Sequence, residues 1–72
     1  MWTVVYIAPN GATAELIKNY LESEGILVML RPIGPPHLGS SASVEVMVPF
    51  FKQKTAYEIL YQTAHPFLPT SY

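Results

Sequence analysis

The segment "SVEVMV", residues 43–48, alternates with a period of two, so Val44, Val46 and Val48 share one face of a strand and Glu45 and Met47 share the other. The charge on Glu45 marks its face as the one turned away from the core. Two further segments have strand character: "WTVVYIA", residues 2–8, is β-branched and aromatic, and "ILVMLR", residues 26–31, is aliphatic. Pro9, Pro32 and Pro49 stop the three strands in turn. Between the first two, "NGATAELIKNYLESEG" places Ala14, Ile17 and Leu21, flanked by Leu16 and Tyr20, at helical spacing. Asn10 is the expected cap, Glu15 sits near the positive end of the helix, and Gly25 supplies a left-handed stop. After Pro49, "FFKQKTAYEILYQTA" repeats the helical pattern through Ala56, Ile59 and Leu60, and His65-Pro66 closes it.

The order βαββα leaves few topologies. A right-handed crossover joins the first two strands, and inserting the third between them gives an α+β fold, the ferredoxin-like split βαβ sandwich. Its antiparallel three-stranded sheet has the order 1-3-2, with both helices on one face. Alternation then turns Ile26, Val28 and Leu30 toward the helices and Leu27, Met29 and Arg31 away from them. In the first strand it turns Val5 and Ile7 inward and Trp2, Val4 and Tyr6 outward, because large amphipathic rings suit a half-exposed surface. Residues 1–64 form a single domain, and "HPFLPTSY", residues 65–72, is a short proline-rich tail.

A chain of 72 residues without cysteine has no disulfide to support it, and a domain this small buries only about 60% of its unfolded surface. Half of its residues are apolar and 12% are charged, so apolar surface is left over. The helix-free sheet face, with Trp2, Val4, Tyr6, Leu27, Met29 and Met47, is the expected contact of a homo-oligomer, dimer or trimer. Arg31 and Glu45, on the same face, are placed to pair across that contact. The N-terminal residues lack the basic region of a secretory signal, and no apolar run nears the roughly 20 residues of a membrane span, which implies a cytoplasmic protein with no membrane partner. A net charge of −1 with four scattered basic residues argues against nucleic acid. Trp2 and Tyr6 are ring types used to stack bases, but Glu45 on their face argues the same way.

Candidate chemistry concentrates in the connection "RPIGPPHLGSSAS", Arg31 to Ser43, which is far longer than a strand-to-strand turn requires. Arg31, His37, Ser40, Ser41 and Ser43, with Gly34 and Gly39, could cradle an anionic group through hydroxyls, amides and one guanidinium, although solvated loops are built from the same residue types and a lone histidine there is ordinarily a solvent-exposed side chain. Asn10 and Gly11, at the helix start, are a second candidate for an anion, and capping explains the same pair. The Ser-His pair in "HLGSS" lacks an oriented base and an oxyanion hole, so no catalytic residue is assigned. With neither cysteine nor aspartate in the chain, a metal site is not expected, and no cofactor is implied.

The run "VVYIAPNGATAELIKNYLESEGILVMLR", followed by a gap, "VEVMVP" and a short helix, resembles a small bacterial domain family of unknown function described as prokaryotic signal-transducing proteins. The resemblance spans Thr3 to Tyr61 and is most specific over "AELIKNYLESEGI", Ala14 to Ile26. It implies the fold of the PII-type nitrogen-signalling proteins, ferredoxin-like chains that form oligomers and carry a long loop between strands two and three. The connection 31–43 falls at that position. One departure is that the second helix opens with Phe50 and Phe51 where such sequences carry acidic residues, which implies an additional apolar contact. The expected function is a small non-enzymatic regulatory or sensory module, oligomeric through its open sheet face, whose loop meets a metabolite or protein partner. The alternative is a structural or accessory protein-interaction unit with no small-molecule ligand.

Overall fold

The computed structural model describes residues 1–34 and 42–64. Strand β1 (Trp2–Ala8) leads through Pro9 and Asn10 into helix α1 (Gly11–Ser23), and β2 (Met29–Pro32) and β3 (Val44–Pro49) follow. A 3₁₀ turn over Phe50–Lys52 then leads into α2 (Gln53–Ala64). The sheet has the order β1-β3-β2, with both pairings to the central β3 antiparallel, as alternation and the crossover rule require.

Both helices cover one face of this sheet. Ala14, Ile17 and Leu21 from α1 and Ala56 and Leu60 from α2 meet Val44, Val46 and Val48 of β3 in one buried cluster, completed by Val5, Ala8 and Ile26. Val28, Leu30 and Ile59 pack against it half-buried. No charged or polar side chain is buried among the described residues, so the core holds no unpaired polar cost.

Helix α1 is bounded by chemistry legible in the chain. The Asn10 carboxamide oxygen accepts the Thr13 N–H at 2.8 Å, and the Asn10 carbonyl accepts the Ala14 N–H at 3.1 Å. Glu15 lies beyond the first turn, and its carboxylate is 3.8 Å from the Lys18 ammonium instead. At the far end the Ile26 N–H donates to the Leu21 carbonyl at 3.1 Å and the Gly25 N–H to the Glu22 carbonyl at 2.9 Å, a Schellman closure. Leu21 and Ile26 are both buried, giving the motif its usual apolar clasp. Gly25 holds φ at +85°, and a Cβ built there would meet nothing within 4 Å. Gly25→Ala should therefore cost about 1 kcal/mol through backbone strain alone, read as a lower urea midpoint at unchanged m-value.

Two boundaries and one register differ from the sequence expectation. The second strand begins at Met29 instead of Ile26, because the Ile26 amide is spent on the helix cap before the chain joins β3. The second helix begins at Gln53; Phe50 to Lys52 make a tighter turn closed by the Gln53 N–H on the Phe50 carbonyl. The third difference is a register shift between Val4 and Tyr6: Val4 pairs with Met47 and Tyr6 with Val46, leaving Val5 as the extra residue. The bulge inverts the alternation beyond it. Tyr6 therefore packs against the core, while Ile7 pairs with Glu45 and is 56% exposed, the reverse of the expected placement.

Candidate interaction surface

The helix-free face of the sheet is a small grid of side chains set by register. Its middle row is Val4, Met47 and Met29, directly paired across the three strands. One step along lies the row Ile7, Glu45 and Arg31, and at the other end Trp2 pairs with Pro49. Continuing the β2–β3 register by two residues sets Leu27 level with Pro49, consistent with its exposure between buried Ile26 and half-buried Val28. Apart from Arg31 and Glu45 every position in this grid is apolar.

Burial across the grid follows position in the sheet. Met47, in the central strand between Val4 and Met29, is buried, whereas Trp2, Ile7, Leu27 and Met29 on the flanks are exposed. Flanking strands leave one side of each ring or chain to water. Trp2, Val4, Leu27, Met29, Glu45 and Met47 thus stand on the expected face. Tyr6 does not, and Ile7 takes the position the bulge vacates. Phe50 and Phe51 are both exposed, beyond the Trp2–Pro49 end of the sheet, where the Phe50 N–H donates to the Met1 carbonyl at 2.7 Å.

Arg31 and Glu45 form the one ion pair of this face among the described residues. They are cross-strand partners, and Arg31 Nε and Nη2 each lie 2.6 Å from Glu45 Oε1. They pair within one chain, where the sequence suggested pairing between copies. With Arg31 largely exposed, the pair contributes on the order of 0–1 kcal/mol and mainly fixes strand register.

The candidate ligand residues do not converge. Asn10 and Gly11 open α1, and the Asn10 carboxamide already occupies the Thr13 N–H that an anion would take. Arg31 is engaged with Glu45 on the opposite face of the sheet from α1. The Ile33 N–H donates to the Ser43 carbonyl at 2.8 Å, so the ladder runs one pair past the strands, up to Gly34 at φ +100°. His37, Ser40 and Ser41 lie outside the described residues, as does the tail 65–72. A shallow, open depression is lined, among the described residues, by Tyr57, Glu58, Tyr61 and Gln62, all from α2. Among the described residues no cluster of three metal-ligating side chains occurs, and no helix is long and apolar enough to cross a membrane.

No protein-family model, curated protein sequence or solved structure matches the chain. The class supported at this point is a small α+β domain with a helix-covered face and an open, mainly apolar face.

Proposed function

We propose that this chain is a non-enzymatic interaction module of the PII-like regulatory kind, which assembles with copies of itself through the open sheet face and offers the connection 31–43 to a metabolite or protein partner. The observation that carries the reading is the grid of Trp2, Val4, Ile7, Leu27, Met29 and Met47, apolar side chains gathered on one face with exposed members on both flanks. Monomers rarely leave so continuous an apolar patch in water. A second copy is the occupant favoured by this chemistry, because an apolar face bearing an internally neutralised ion pair is complementary to itself and brings no unbalanced charge into the contact.

A second reading is supported by a specific observation. Asn10 and Arg31, two of the polar groups offered to an anion, already have partners inside the chain, which favours an accessory interaction unit with no small ligand. A thermal-shift screen of nucleotides, 2-oxo acids and amino acids, run beside sedimentation of the untreated protein, tests both. The regulatory reading expects a rise in Tm of about 10 °C or more at a hundredfold excess over Kd. No shift from any class, with assembly retained, leaves the accessory unit. A stable monomer at micromolar concentration overturns self-assembly through the sheet face.

A further inference from the structure

We propose that the outer edge of β1 pairs with the same edge of a second copy about a two-fold axis, joining two three-stranded sheets into one of six strands. This rests on the reading above that the open face is an assembly surface, and it names the contact that makes the face large enough.

The two edges of the sheet are unlike. β2 has four residues, carries Arg31 and ends on Pro32, features that discourage a further strand. β1 has seven residues, no charge and no proline, and is built from β-branched and aromatic types. Among the described residues its outer edge has no neighbouring strand. An uncharged strand of this length, with no partner strand for its outward N–H and C=O groups among the described residues, is a template for strand addition.

Area supplies the second argument. Three strands at about 4.8 Å spacing and six residues at about 3.3 Å give the open face a projected size near 300 Å². Side-chain relief enlarges that figure, yet it stays well short of the roughly 800 Å² per partner of a stable interface. Edge pairing doubles the face without adding a new kind of surface.

The bulge then selects the register. Paired residues across a two-fold axis normal to the sheet must turn to the same side. In β1, Thr3, Val5, Tyr6 and Ala8 turn toward the helices, and Trp2, Val4 and Ile7 turn to the open face. A regular strand would pair with itself only about a residue or in steps of two. With the alternation inverted after Val5, the long register that keeps faces matched sets Thr3 opposite Ala8, Val4 opposite Ile7 and Val5 opposite Tyr6 of the other copy. Each opposing pair is free of charge conflict and includes β-branched or aromatic packing partners, or small Ala8 beside Thr3.

The native chain contains no cysteine, so a full-length Val4→Cys/Ile7→Cys variant reports on this pairing cleanly. Within one strand these positions are about 10 Å apart, too far for a disulfide, and because facing sheets can be bridged by one, the oxidation is run in the Met29→Lys background, where the face contact is disrupted. Mild oxidation at low micromolar concentration should give a covalent dimer through 4–7 linkages, identified by peptide mapping, while Leu16→Cys on the exposed side of α1 gives little. Sedimentation of Met29→Lys, whose substitution lies on the far strand, should show a dimer that persists after the face is disrupted. Absence of the 4–7 linkage from a protein that still assembles overturns edge pairing and leaves the face reading intact. The linkage together with an assembly indifferent to Met29→Lys supports edge pairing and overturns the face reading.

Discussion

Leu21→Ala should leave the isolated chain without a cooperative unfolding transition at 25 °C. Leu21 is fully buried at the point where α1 meets the sheet, among the largest side chains with no exposure. Its carbonyl also accepts the N–H groups of Glu24 and Ile26, at 3.0 and 3.1 Å, that close the helix. Truncation keeps those backbone bonds but empties the space between α1 and the central strand. Burial of this kind is worth about 3–5 kcal/mol when a leucine is cut to alanine. A domain below about 80 residues seldom holds more than 3–5 kcal/mol in total. The loss is therefore comparable with the whole stability. Leu21→Met, nearly volume-conserving, should cost less than about 1.5 kcal/mol and keep a single transition. Urea titration followed by circular dichroism reads both variants. A wild-type midpoint in Leu21→Ala would mean that α1 is not docked through this residue.

What the chain disclosed in advance, and what it hid, follows from where polar residues stand. In β3 the single charge at Glu45 labels a face, and alternation carries that label to every position of the strand and across to β2. The assignments of Leu30, Met29 and Arg31 follow from it directly. β1 has no such label. Its only hydroxyl outside the rings is Thr3, which pairs with buried Val48 on the helix side, and its seven residues are otherwise strand formers that suit either face. A bulge at Val5 therefore changes nothing visible in the pattern, and the exchange of Tyr6 with Ile7 was hidden for that reason. The start of β2 was hidden for another. Ile26 is as strand-like as Val28, but its amide is committed to the cap of α1, a bond that depends on the left-handed turn at Gly25.

The candidate site divides in the same way. That Trp2, Val4, Met29, Met47 and Glu45 share a face was readable from period and topology. That Arg31 and Glu45 satisfy each other within one chain was not, since their shared face allows pairing either inside a chain or between copies. Only the register, with the two residues directly opposed, decides. The Asn10 cap was legible from its place before an apolar helical stripe, and the same bond removes it from the list of groups free to hold an anion.

Met47→Lys should separate folding from assembly. Met47 stands at the centre of the open face, directly opposite Val4 and Met29 on the flanking strands, and in a single chain it is only 6% exposed. A lysine there can run its four-carbon stem along those neighbours and lift its ammonium into water, so the lone domain remains foldable at a cost of about 1–3 kcal/mol. Stacking a second face on it removes that water. Each ammonium would then be held near the middle of an apolar contact, two residues along the strand from a Glu45 whose charge is already balanced by Arg31. Against this stands the driving force: covering about 400 Å² of apolar surface per chain is worth on the order of 10 kcal/mol before association entropy is subtracted. A buried unpaired charge opposes it with several kcal/mol per chain. Because association entropy consumes much of what is left, the face-to-face contact should be lost at micromolar concentration, halving the sedimenting mass, and Met47→Leu should keep it. Soluble, folded Met47→Lys protein of unchanged mass would show that this face is not where copies meet.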